Sequence, residues 1–330
     1  MRIPALAAVA AIGALALAGC STPAPTAPDE TVAITDLNVI VPADPGGGWD
    51  QTGRALADTL TAEGLVDSTA VTNVPGAGGT VGLASLATEN DPHTLMMMGL
   101  VMVGAVETNA SANRIEDNTP IARLTEEALV VVVPEASPYQ TLEDLVDDVV
   151  ANGQDVTITG GSAGGADHIL VGLLLGEAGL SPAEITEKLN YIPNSGGGEA
   201  VTLLLGNNVS AGVSGVGEFV EHIKAGTMRA LAVSSEAPVD LLPDTPTIID
   251  EGYDVALTNW RGVIAPPEIS DADRTALIEL VTALHDSGAW TDVLEEKGWA
   301  DAFLAGDEFD TFLEGDITAV TKTLKDIGLI

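Results

Sequence analysis

Hydrophobic and polar positions follow two periods along the chain, and each change of period marks an element. Short runs rich in β-branched residues, at 35–41, 69–73, 93–99, 129–134, 155–159, 189–192, 209–213, 229–234 and 259–265, read as strands. Stretches with apolar residues three and four apart, at 50–63, 81–88, 141–152, 166–178, 199–205 and 218–225, read as helices between them. The four valines from Val130 to Val133 predict a strand buried on both faces, and Met96, Met97 and Met98 read as core. Alternation of strand and helix predicts an α/β fold with a mostly parallel sheet covered by helices, and the number of units suits two lobes. After the strand at 259–265 come Pro266-Pro267, the cap residues Ser270 and Asp271, and helices at 271–286 and 307–327. This tail is expected to return to the first lobe, giving two crossings between lobes and a hinged cleft. The expected division is 33–126 for the first part of lobe one, 127–234 for lobe two and 235–330 for the returning segment.

The amino-terminal residues change the compartment. Arg2 precedes an apolar run at 3–17 that is too short for a comfortable membrane span, and Leu17-Ala18-Gly19-Cys20 resembles the bacterial lipobox. Residues 1–19 are expected to be a lipoprotein signal peptide, with Cys20 lipidated and 20–32 a Ser/Thr/Pro-rich tether to the outer face of the cytoplasmic membrane. Cys20 is the single cysteine, so an intramolecular disulfide or thiolate metal site is excluded. Twelve Lys+Arg against 49 Asp+Glu give a formal net charge of −37, which excludes nucleic acid as a partner. Long-range attraction cannot gather an anion at such a surface, so an anion site must be built locally, from oriented backbone N–H groups.

Four glycine-rich loops each follow a predicted strand and precede a predicted helix. They span 42–50, 73–80, 160–168 and 193–199. Glycine allows close approach of the main chain, and helix N-termini present free N–H donors, so a carboxylate can be held there without lysine or arginine. At these loops the chain resembles the receptors of tripartite tricarboxylate transporters, also called Bug receptors. The likeness rests on the Pro-Gly-Gly-Gly-x-Asp run with Arg54, on Asn73-Val74-Pro75-Gly76-Ala77-Gly78-Gly79-Thr80, on Gly-Ser-x-Gly-Gly-x-Asp-His from Gly161 to His168, on Gly196-Gly197-Gly198-Glu199, and on Trp260-Arg261-Gly262. The resemblance implies a two-lobe Venus-flytrap fold of the periplasmic-binding-protein class with two interlobe crossings. It also implies a small organic anion as ligand, membrane permease subunits as partners, and a monomer without cofactor or metal. Carried over residue by residue, the ligand-binding set is Gly47, Gly48, Asp50, Gly79, Thr80, Ser162, Gly164, Asp167, His168, Ser195, Gly196 and Gly197. Asn194-Ser195 stands where relatives carry a bulkier pair facing the ligand, so the resemblance does not name the anion.

Other chemistry competes for the same residues. Gly160-Gly161-Ser162-Ala163-Gly164 matches the Gly-x-Ser-x-Gly nucleophile elbow, which leaves a secreted serine hydrolase as the alternative, with Asp250 or Asp254 and His285 completing a triad. Asp50 and Asp167 equally suit helix-starting carboxylates that satisfy first-turn N–H groups. His93, His168, His222 and His285 lack metal-ligand spacing, and no Gly-Lys-Ser/Thr phosphate loop occurs.

Overall fold

The computed structural model describes residues 32–330 apart from Gly196. The expected signal peptide, Cys20 and nearly all of the expected tether lie outside the described residues.

The chain opens with β1 (Asp36–Val41), α1 (Gly48–Ala62), β2 (Ser68–Asn73), α2 (Thr80–Leu86), β3 (Thr94–Gly99) and α3 (Leu100–Thr108). The long strand β4 (Thr119–Pro134) follows, then α4 (Leu142–Asn152), β5 (Thr157–Gly160), α5 (Ala166–Glu177), α6 (Pro182–Lys188), β6 (Asn190–Pro193) and α7 (Gly197–Leu205). After β7 (Ala211–Gly215), α8 (Val216–Lys224) and β8 (Met228–Val233) comes β9 (Thr258–Ala265). The chain ends in α9 (Asp271–His285), α10 (Gly288–Lys297), β10 (Ala300–Ala305) and α11 (Asp307–Asp326).

One sheet runs through the molecule in the order β2-β1-β3-β9-β4-β7-β5-β6, with β8 and β10 also paired to β4. Its centre is β4, whose two halves have different neighbours. Residues 119–128 pair with β9, and residues 129–134 pair with β7 and β8. The expectation of a mostly parallel sheet is corrected here. Pairs among β1, β2 and β3, and among β5, β6 and β7, are parallel, whereas every pair made by β4 or β9 is antiparallel. The helical crossovers enforce the parallel pairs, and the long strand with its late-returning partner imposes the rest.

The core follows from the sequence pattern. Leu56 and Leu60, four apart on α1, are fully buried together with Met96, Met97 and Met98 of β3. Each such side chain contributes about 1.5–3 kcal/mol when removed from water. A separate apolar cluster, including Val130, Val132, Leu204 and Phe219, lies beneath α7 and α8. Thr141 and Ser181 close capping boxes on α4 and α6, and Ser270 caps α9 with its hydroxyl.

Candidate functional site

Each glycine loop is set by the helix that follows it. Asp50, in the first turn of α1, accepts from Gly46 N (2.9 Å), from the Arg54 guanidinium (Nε, 3.0 Å) and from Asn73 Nδ2 (2.9 Å). Asn73 Nδ2 also donates to Ala43 O, so the first loop is fastened to the end of β2. Burial raises the cost of charging Asp50, but these donors outweigh it and hold the carboxyl below its ordinary range. In the second loop Gly79 has φ +92°, a left-handed conformation that costs glycine little. A side chain there would also strike Trp49 and Met102. Thr80 Oγ1 turns back to Ala77 O (3.0 Å).

In the third loop Asp167 accepts from Gly161 N (2.5 Å), and His168 Nδ1 accepts from Gly164 N (3.1 Å). The imidazole stacks on Tyr191 at 4.1 Å between centroids, and Tyr191 donates its hydroxyl proton to Gly161 O (2.9 Å). Burial pushes His168 down to about 4, so it is a neutral brace. In the fourth loop Ser195 N donates to Glu199, and Asn194 Nδ2 reaches back to Thr159 Oγ1 and Gly160 O. Asn194 therefore ties the two loops together.

The loops converge on a cavity of about 80 Å³. Of the residues singled out in the sequence, Gly47, Gly48, Gly79, Ser162, Asp167 and Ser195 border it. Asp50, Thr80, Gly164 and His168 do not; they hold the loops that do. Gly197 opens α7 and does not border the cavity, and Gly196 lies outside the described residues.

The cavity also contains chemistry that the loop pattern did not reveal. Glu127 of β4 and Arg261 of β9 form a buried ion pair through Arg261 Nη2, with each side chain 3% exposed. Arg261 Nη1 is buried without a partner among the described residues, and the guanidinium lies over the Trp299 ring at 5.4 Å. Glu218, in the first turn of α8, accepts from Gly48 N (2.8 Å) and from Ser214 Oγ (2.6 Å). The expected site free of lysine and arginine thus contains an arginine, and two of its loop amides, Gly48 and Gly161, already bond to the protein's own carboxylates. Desolvation pushes Glu127 up, with Arg261 opposing and Glu218 adding to the rise. Asp167 is pushed up to about 7, first by burial and further by Glu218 and Glu127, against the Gly161 N–H and Arg261. Sequence signals for these residues existed: an arginine inside the apolar strand at 259–265, paired glutamates running into the valines, and a fifth strand-to-helix turn, Ser214-Gly215-Val216-Gly217.

No hydrolytic triad forms around Ser162 among the described residues. His285 points its nitrogens at Asp286 and Asp301 and stacks on Phe303, Asp250 is engaged by Thr247 N, and Ser162 Oγ bonds no histidine.

The sheet order and the cleft between glycine loops define an α/β fold of the periplasmic-binding-protein class. The periplasmic binding protein BugD superposes with a TM-score of 0.78, covering 89% of this chain and 98% of that one at 22% identity. Two Rhodopseudomonas palustris structures, MatC with bound malate and a second protein with adipate, give TM-scores of 0.76 and 0.79 at 20% identity. MatC covers 89% of this chain and 100% of its own, and the adipate-bound protein 89% and 97%. The UPF0065 protein of the TAR-I ttuE-ttuC' intergenic region of Agrobacterium vitis is 32% identical over 256 residues, 76% of this chain and 71% of its own length. Residues 53–329 match the tripartite tricarboxylate transporter family receptor. The chain belongs to that family of solute-binding receptors. No helix among the described residues is long and apolar enough to cross a membrane.

Proposed function

We propose that the protein captures a small organic carboxylate in the glycine-lined cleft and signals capture to a membrane permease by closing on it. The observation that carries this reading is one cavity bordered both by loops after β1 and β2 and by loops after β5, β6 and β7, with a buried guanidinium nitrogen lacking a partner. The solved relatives that hold malate and adipate carry ligands of this chemical kind. In this reading residues 33–126 and 235–330 form one lobe and 127–234 the other, and the chain acts as a monomer. Contacts from both lobes favour the closed state by the ligand's differential affinity, which is the quantity a permease reads. Cleft-bordering Gly47, Gly48, Gly79, Ser162 and Ser195 contact the ligand, while Asp50, Thr80, Gly164 and His168 act through the loops.

Native mass spectrometry after exposure to malate, adipate and other di- and tricarboxylates tests the reading: a bound acid is expected, and no adduct from any of them overturns it. Ser162→Ala is expected to weaken binding by about 1–3 kcal/mol through one lost hydrogen bond, with no ester or amide turnover in the wild type. Turnover that disappears in this variant would establish the hydrolase instead. The lipid anchor is a proposal on the sequence of the amino-terminal segment. Cys20→Ser should release an intact receptor from membranes, and unchanged retention on fractionation removes the anchor from the account.

A further inference from the structure

The charge lining the cleft narrows the class of solute. Among the described residues three carboxyl groups, Glu127, Asp167 and Glu218, border one cavity with a single cation, Arg261. Glu127 and Asp167 are 4% and 6% exposed, so little solvent screens them. Glycines let these groups close in: side chains at Gly48 and Gly215 would collide with the Arg261 guanidinium and the Glu127 carboxylate. Fully ionised, this lining carries two net negative charges before any ligand arrives. A plain dicarboxylate would add two more in a desolvated space, where like charges are least tolerated.

Two features keep a carboxylate in the picture. Arg261 Nη1 is buried without an acceptor, and an unpartnered buried guanidinium nitrogen is costly until one arrives. Gly79 and Ser162 also border the cavity, and the Ser162 hydroxyl has no side-chain partner among the described residues. The cleft therefore offers donors at Arg261 and Ser162 and acceptors at its three carboxyl groups.

We propose that the solute carries a positively charged group, most simply an ammonium, beside its carboxylate: the carboxylate meets Arg261, and the ammonium meets Glu127, Glu218 and Asp167. This rests on the carboxylate-receptor reading and narrows it. A solute with one ammonium and one carboxylate leaves the charge of the cleft unchanged on binding and adds a cationic donor to acids that otherwise bond to Arg261, Gly161 N, Gly48 N and Ser214 Oγ. The buried Asp167 carboxyl, held near neutrality by its surroundings, then regains a reason to ionise.

Calorimetric titration with matched pairs separates the cases: succinate against aspartate, glutarate against glutamate, adipate against 2-aminoadipate. 4-Aminobutyrate and putrescine serve as a single-carboxylate zwitterion and a cation without a carboxylate. The expected result is that amino-bearing acids bind at least tenfold tighter than their plain partners. Glu218→Gln should reduce that ratio at least fivefold, with folding confirmed by circular dichroism. If plain diacids match or exceed their amino partners, or if Glu218→Gln and Asp167→Asn both leave the ratio unchanged, the inference fails and the carboxylate reading stands. Putrescine binding tightest ends the carboxylate reading itself, and no binding across the panel overturns both.

Discussion

In three of the glycine loops a carboxylate in the first turn of the following helix reaches back to a loop amide: Asp50 to Gly46, Asp167 to Gly161 and Glu199 to Ser195. Sequence spacing made these acids legible as helix starters or ligand contacts. The structure gives Asp50 wholly to its loop, while Asp167 fastens a loop and borders the cavity. The Glu127–Arg261 pair was not legible as a pair, because 134 positions separate its members and only the β4–β9 register brings them together. Asp167 and His168 also make adjacent residues titrate in opposition. Asp167 rises from 3.8 unfolded to about 7 folded, so it withdraws stability as pH climbs between those values. His168 falls from 6.5 to about 4, so it withdraws stability as pH drops through that window. Asp167→Asn removes the first slope. The variant should match the wild type near pH 4 and exceed it by about 2–4 kcal/mol near pH 8, at 1.36 kcal/mol per pKa unit. Urea unfolding at the two pH values checks this, and a constant difference would contradict it.

At the scale of elements, the strands and helices with clear period were readable, and those missed had a physical reason to be silent. Helix α3 continues an apolar run that begins in β3, and its burial on nearly every side erases the amphipathic signal. The first half of β4 mixes Thr125, Glu126 and Glu127 into a strand whose glutamates serve ion pairs rather than solvent. α10 and β10 are short, and β10 is only partly buried. The close fit of α3 to the third glycine loop is itself testable. A methyl added at Gly104 would overlap the carbonyl oxygen of Gly164, a backbone atom that cannot swing aside. Gly104→Ala should cost about 1–3 kcal/mol in unfolding experiments. It should also weaken ligand binding by moving Ser162, whereas Gly288→Ala, where a methyl meets nothing, should do neither.

For the molecule as a whole, the strand-and-helix alternation did announce an α/β fold and the resemblance at the glycine loops its receptor class, while the mixed sheet escaped because β9 enters from far along the chain. The net charge of −37 opposes any approaching anion, and the one cation that borders the cleft among the described residues is buried. Screening over a Debye length of roughly 8 Å should weaken the outer repulsion more than the inner contacts. Affinity for a carboxylate is therefore expected to hold or rise from low to moderate salt in calorimetric titration, with a salt whose ions leave the cleft empty. A steep fall would mean that exposed arginines such as Arg54 govern capture.

The position of β9 between β3 and β4 also sets a timetable. Every strand paired with the second half of β4 lies between residues 157 and 233, so that half of the sheet has all its partners as soon as β8 exists. The half containing β1, β2 and β3 waits for residues 258–265, which bridge β3 to β4. On a chain emerging amino end first, the earliest strands then wait for β9 before they are joined to β4. The side chains that meet in the cleft belong to both groups, Glu127 and Arg261 among them. A binding-competent protein therefore comes into being late, when its carboxyl-terminal quarter arrives.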